Sequence, residues 1–279
     1  MRNVYITFLF LIFCSMAYAQ EQAKYRITYD CDAQVVTGNT NTYRWTLDIG
    51  ETTAVFYNNN YRLYSSELAK VKAQGGDNAM IDQLPVISGK YFPKNDLQIV
   101  VGSTDKGEYI YYKQVLNSGL KYVDALPVIE WQLTDSTKTI CEYECKQAVG
   151  SVYGRTWTVW YSIELPLNYG PYILNGLPGL IMAARDSEGL FDFKAVGVEN
   201  APENALVSVY KEDSHQKCTR KRFLQLRSES EGINKDQLVD RILSQRTSGE
   251  KVIVYTVSGT DAKVDNEVEV PKYNHLDKE

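Results

Sequence analysis

The sequence predicts a mainly β fold of the α+β kind: a curved antiparallel sheet or partly open barrel, with one or two helices packed on it near the C-terminus. Three observations lead there. Short runs rich in Val, Ile, Thr, Tyr and Trp recur between Gly, Asn and Asp turn signals. Several runs are separated by only a few residues, which suits hairpins and a meander better than parallel crossover units. Helical periodicity is confined to a few short stretches.

In chain order, strand-like segments cover 24–32, 43–49, 53–57, 97–102 and 108–115, then Tyr122, 128–134, 139–148, 152–165, 180–185 and 190–198. A short helix is expected over 65–73, where Gly75, Gly76 and Asp77 break the pattern and open a loop. A second is expected over 218–228. The clearest helical stripe begins at the N-cap Asn234, has Gln237 three residues on, and aligns Leu238, Val239, Ile242 and Leu243 on one side. A strand over 251–257 follows, and the charged tail after Pro271 is expected to fray.

The N-terminus carries an address. Arg2, an apolar run over 4–13 and Ala17-Tyr18-Ala19 before Gln20 read as a secretory signal, residues 1–19, cleaved after Ala19. A lipid anchor on Cys14 is the rival reading, disfavoured by the bulky Phe13 before it. The apolar run is shorter than the ~18 to 20 residues that span a bilayer, and no transmembrane segment is expected in the mature chain. Residues 20–279 then form a single domain placed in the periplasm or outside the cell. Without Arg2, 29 basic residues face 35 acidic ones, a net charge of −6, which argues against a nucleic-acid binder.

Four cysteines remain in that mature chain: Cys31, Cys141, Cys145 and Cys218. An even count in an oxidising compartment favours disulfides, with three connectivities open. Cys141 and Cys145 would lie about 13 Å apart on an extended strand, beyond disulfide reach, so each is expected to pair with Cys31 or Cys218 unless the segment bends sharply. No C-x-x-C is present and the histidines are only His215 and His275, so no metal and no cofactor is expected.

The densest signal runs from Ile140 to Gly189. Over 152–161 the chain alternates, with Tyr153, Arg155, Trp157, Val159 and Tyr161 on one side, as in a central strand. Arg155 between aromatic neighbours can hold an anionic group, or can simply stack as a surface arginine. Gly170-Pro171-Tyr172 and then Gly176-Leu177-Pro178-Gly179-Leu180-Ile181 follow. Pro178-Gly179 suits a type II turn with positive φ at the glycine, leading into a buried strand at Leu180. Only Tyr172 offers side-chain chemistry there, so the motif reads as shape.

These strings, with Trp160-Tyr161-Ser162, Glu164-Leu165-Pro166, Cys145-Lys146-Gln147-Ala148 and Gly154-Arg155-Thr156-Trp157, resemble the signature of the GLPGLI family, also called Porph_ging. The resemblance is specific over roughly 45 residues, and the stretch 75–94 looks like an insertion. It implies an exported protein of Bacteroidetes-type bacteria whose function is largely unknown. Some members are encoded near outer-membrane uptake receptors.

Nucleotide loops, a G-x-S-x-G elbow and H-E-x-x-H are absent from the sequence. Carboxylate pairs remain: Glu142 with Glu144, read as a solvated strand face, and Glu164 with Asp186, which flank the Gly-Pro motif and are the better acid/base candidates. The basic run Lys217, Arg220, Lys221, Arg222 and Arg227 suits an anionic surface or acidic partner, or an ordinary solvated helix. Tyrosine clusters at 57/61/64 and 109/111/112 suit either a recognition surface or half-buried strands. The leading expectation is a non-catalytic envelope protein that binds an outer-membrane receptor, another envelope protein or a small hydrophobic ligand. Arg155, Trp157, Tyr161, Glu164, Tyr172 and Asp186 are its candidate contacts; a carboxylate-dependent hydrolase and an assembly component are the alternatives.

Overall fold

Alternation of large apolar and polar side chains along successive strands gives this chain one buried and one wetter sheet face. The computed structural model describes residues 21–91, 96–102, 107–116, 118–231 and 274–277. The expected signal peptide, the helix from 234 and the strand over 251–257 lie outside the described residues. The strands are β1 (Tyr25–Val36), β2 (Asn39–Ile49), β3 (Ala54–Asn58), β4 (Gln98–Val101), β5 (Glu108–Val115), β6 (Ser118–Ala125), β7 (Gln132–Ile140), β8 (Tyr143–Val152), β9 (Arg155–Ser162), β10 (Leu180–Asp186), β11 (Phe191–Asn200) and β12 (His215–Lys217). Two helices, α1 (Asn59–Tyr91) and α2 (Arg220–Glu231), accompany them.

The twelve strands of the described residues form one open, curved sheet in the order β12-β6-β5-β4-β3-β2-β1-β11-β10-β9-β8-β7. The mainly β, curved-sheet expectation therefore holds. One pair departs from antiparallel: β12 lies parallel to β6, with His215 opposite Gly119. The chain reaches that position because residues 201–211 run along the outside of the sheet, tied by Ala23 N to Ala205 O, Arg62 Nη2 to Ser208 O and a reciprocal amide pair between Gln98 and Tyr210.

Curvature follows from a contact across the inner face. Seven strands separate β5 from β8 in the sheet order, yet the Tyr109 hydroxyl lies 3.2 Å from that of Tyr153, in the turn between β8 and β9. The inner face is consequently concave. It buries Ile27, Tyr29, Leu47, Phe56, Ile99, Tyr109, Tyr111, Tyr122, Trp157 and Phe193 in a single core. α2 closes one side of it: Thr219 caps the helix by accepting from Arg222 N, and Phe223 packs on Tyr111 and Tyr122 at centroid distances of 5.3 and 5.2 Å.

Several local expectations change. The run over 139–148 is two strands, because Cys141 and Glu142 both take positive φ (48° and 70°) and form a two-residue hairpin turn between Ile140 and Tyr143. Glu142 thus sits in a turn and not beside Glu144 on a strand face. The helix expected over 65–73 is far longer, and helical backbone resumes beyond Gly76, whose φ of 69° and ψ of −162° break the rod. Lys90 and Tyr91 then return near Glu67 and Lys70, so the insertion doubles back on itself. The tail expected to fray is anchored over 274–277, where Leu276 and Asp277 are buried.

The expected disulfides are not formed; all four thiols are free. Geometry explains it. Cys31 lies on β1 facing the core, Cys145 on β8 with three strands between, and Cys218 beyond β12 at the other end of the sheet. Cys141, in the hairpin turn, donates to Ala195 O at 3.3 Å instead. Burial raises all four thiol pKa values, that of Cys145 to about 11, so they stay protonated near neutrality. A chain of residues 20–279, unfolded without reductant, should react with four equivalents of a thiol reagent; two equivalents or none would contradict this arrangement.

Candidate functional site

The Gly-Pro motif builds the floor beneath the site. Pro178-Gly179 does not form the expected type II turn, because Gly179 has no positive φ. It must be glycine for a different reason: a Cβ there would lie 2.0 Å from Ser162 O. The positive φ falls at Gly176 (88°), and at Tyr172 (60°), a non-glycine held in the left-handed region. Gly170 likewise presses on the Ile181 side chain, 2.7 Å from where a Cβ would be. Ile181 N donates to Tyr169 O, and Tyr29 donates its buried hydroxyl to Ile181 O.

These approaches push Tyr172, Ile173 and Leu174 into the core. Burial drives the Tyr172 phenol pKa well up, in the neighbourhood of Tyr109, Tyr111 and Tyr122. Leu177, Leu180 and Ile181 are buried as well, and Trp131 roofs the loop by donating Nε1 to Asn175 O while lying over Gly150. Trp157 and Tyr161 are also core residues, 0% and 3% exposed. Three of the candidate contacts, Trp157, Tyr161 and Tyr172, thus shape the interior.

Arg155 does hold an anion, and the anion is the protein's own. Its Nη1 donates to Asp186 Oδ2 at 2.6 Å, with both side chains at most 2% exposed, and reaches Glu188 Oε2 at 3.2 Å. Its guanidinium lies over the ring of Phe191, 4.9 Å from the centroid, and not between Tyr153 and Trp157. Asp186 Oδ1 accepts from the Leu190 and Phe191 amides at 2.8 and 2.9 Å, which fixes the turn between β10 and β11. An unpaired charge here would be expensive, and the pairing is complete.

Glu164 lies elsewhere. The β9–β10 register sets Leu180 against Ser162 and Asp186 against Trp157, so Glu164 and Asp186 sit at opposite ends of β10, about 20 Å apart by strand rise. The acid/base pair expected from the sequence is not assembled, and Glu164 accepts from Glu144 N on the surface.

What the structure gathers instead is a cleft between α2 and the β1–β5 wall. Arg155 Nε and Nη2 both donate to His275 O, at 2.8 and 2.5 Å. Asn274 donates its backbone N–H to Val35 O and its side-chain amide to Gln34 O. Arg227 Nη1 donates to Asp277 Oδ1 at 3.0 Å, and Arg220 Nη2 stands 3.5 Å from Asp277 Oδ2. Arg220 also stacks on Tyr153 and pairs with Asp124 at 3.6 Å, yet its Nε and Nη2 make no hydrogen bond among the described residues. A cavity of about 250 Å³ adjoins this segment, lined by Leu97, Tyr111, Lys113, Phe191 and Arg227. Burial holds the Lys113 ammonium pKa below the usual lysine value and raises that of the nearby Asp96 carboxyl.

The basic run of the sequence therefore divides. Arg220 and Arg227 turn inward to carboxylates, while Lys217, Lys221 and Arg222 face solvent. The tyrosine clusters divide too: Tyr109 and Tyr111 are core, whereas Tyr57 bonds to the buried Asp48 on the other face and Tyr112 to Glu212. Lys113, His275 and Asp277 were not among the expected contacts; the local sign was an aliphatic residue between His and Asp in a charged tail expected to fray. Among the described residues no group of His, Cys, Asp and Glu gathers as a metal cluster, and no helix is long and apolar enough to cross a membrane.

No family model matches the chain, and no curated protein does. Among solved structures, PNGF-II in two crystal forms is similar at 18% and 19% identity, with a TM-score of 0.48. The match covers 76% of this chain and 34% of that one, so the chain spans about a third of the PNGF-II length. MucB in complex with MucA(peri) is similar at 9% identity and TM-score 0.23, over 68% of this chain and 57% of that one. A LolA superfamily protein from Nitrosomonas europaea is similar at 8% identity and TM-score 0.26, over 70% and 91%.

Two substitutions separate scaffold from surface. Gly179→Ala should destabilise the protein by about 3 kcal/mol or more, since backbone must shift, whereas Gly197→Ala, with its nearest neighbour 3.8 Å away, should fall within about 1 kcal/mol of the parent in denaturant unfolding. Arg155→Met should cost about 3–5 kcal/mol by stranding Asp186, and Glu164→Gln less than about 0.5 kcal/mol.

Proposed function

We propose that this chain is an exported, non-catalytic binding protein of the GLPGLI family that engages a partner in the cell envelope through the cleft on the concave face of its sheet. The observation that carries the reading is the composition of that cleft: apolar Leu97, Tyr111 and Phe191 beside the cations Lys113, Arg220 and Arg227, next to a cavity of about 250 Å³. Concave, mostly apolar sites with a few placed polar groups are the usual form of binding pockets. An acidic partner would find its counter-charges already positioned there. Export to the periplasm or beyond rests on the N-terminal Arg2, apolar run and Ala17-Tyr18-Ala19, and an outer-membrane receptor or associated envelope protein is the partner class this location offers.

The test compares two charge-removing pairs. Immobilised mature protein should capture a specific component of an envelope extract. Lys113→Ala with Arg220→Ala should weaken that capture by about tenfold or more, the loss expected for charged contacts worth ~1.5–3 kcal/mol. Lys221→Ala with Arg222→Ala, on the exposed side of α2, should leave it unchanged. Equal loss in both pairs would assign the binding to general surface charge and overturn the reading.

A further inference from the structure

Residues Asn274–Asp277 sit in the cleft as a bound peptide would. The contacts come from three separate parts of the chain: the end of β1, Arg155 on β9, and Arg220 and Arg227 on α2. Two of the anchors are sequence-blind, the Asn274 N–H to Val35 O and the His275 carbonyl in the fork of Arg155. Two are selective, the buried Leu276 side chain and the Asp277 carboxylate between two arginines. Main-chain bonds for affinity with side-chain pockets for choice is a general pattern of peptide recognition.

Resting on the partner-binding reading above and deepening it, we infer that this cleft is a recognition site for peptide segments that carry an aliphatic residue followed by an aspartate, and that Asn274–Asp277 is a built-in occupant such a segment displaces. Charge complementarity supports an acidic ligand. Arg220 stands within ion-pair range of Asp277, but two of its buried donors have no hydrogen-bonded acceptor among the described residues, so a differently seated carboxylate would gain bonds that Asp277 does not make. The cavity beside Tyr111 and Lys113 gives an incoming segment room that the four native residues leave unused. Because the occupant is covalently attached, an external peptide competes against a tethered rival, and its apparent affinity rises when the rival is weakened.

The test uses the full mature chain and a fluorescent peptide with the sequence of residues 272–279. Leu276→Ala with Asp277→Asn in the protein weakens the built-in occupant without removing any cleft residue. This variant should bind the peptide at least tenfold more tightly than the parent chain does. Adding Arg227→Ala to it should abolish binding, and a peptide with asparagine at the position of Asp277 should fail to bind. Thermal unfolding verifies that each variant is folded, and Leu276→Ala alone serves where the double substitution is too damaging. A folded, occupant-weakened variant that binds no peptide, or binds both peptides equally, overturns the inference. So does finding that the parent chain dimerises by exchanging this segment, which would assign the cleft to a second copy. None of these results decides the envelope-capture comparison, which judges the broader reading separately.

Discussion

A guanidinium enclosed by a sheet must have its donors engaged, and that requirement organises the molecule around Arg155. The side chain neutralises Asp186, lies on Phe191 and grips the carbonyl of His275. Asp186 in turn fixes the β10–β11 turn through two backbone amides. One buried ion pair thereby links β9, β10, β11 and a segment 120 residues away in sequence. Such a pair adds little net stability over an apolar equivalent, and its value lies in the single geometry it permits.

The Gly-Pro motif supplies the complementary constraint. Close contact of Gly179 with Ser162 O and of Gly170 with Ile181 brings the loop down onto the sheet, and Tyr172, Ile173 and Leu174 fill the space below the cleft. Aromatic and aliphatic side chains fill that volume, with the buried Arg155–Asp186 pair beside them. Beside the cavity, α2 places Arg227 and β5 places Lys113, and Arg220 of α2 reaches Asp277.

Period-2 alternation and turn residues made most of the sheet legible, including the strand over 155–162 that carries Arg155, because one buried face imposes that pattern directly. The Cys141-Glu142 hairpin was not legible, since neither residue is one that favours positive φ; its conformation is held by the pairing on either side. The role of Gly179 was misassigned because a glycine needed for close approach and one needed for positive φ look alike in sequence. Within the site, Arg155 and Asp186 were both singled out, but their partnership depends on the β9–β10 register. The contribution of 274–277 depends on tertiary contacts that no local pattern encodes, so a charged tail concealed a buried Leu-Asp pair.

Amide hydrogen exchange at Asn274 in the unmodified protein tests the central claim most directly. With its N–H bonded to Val35 O and the next residue's carbonyl held by Arg155, that amide should exchange at rates comparable to those in β1 and β11. Exchange at the speed of an unstructured peptide would mean that the cleft does not hold this segment, and the account built on it would fall.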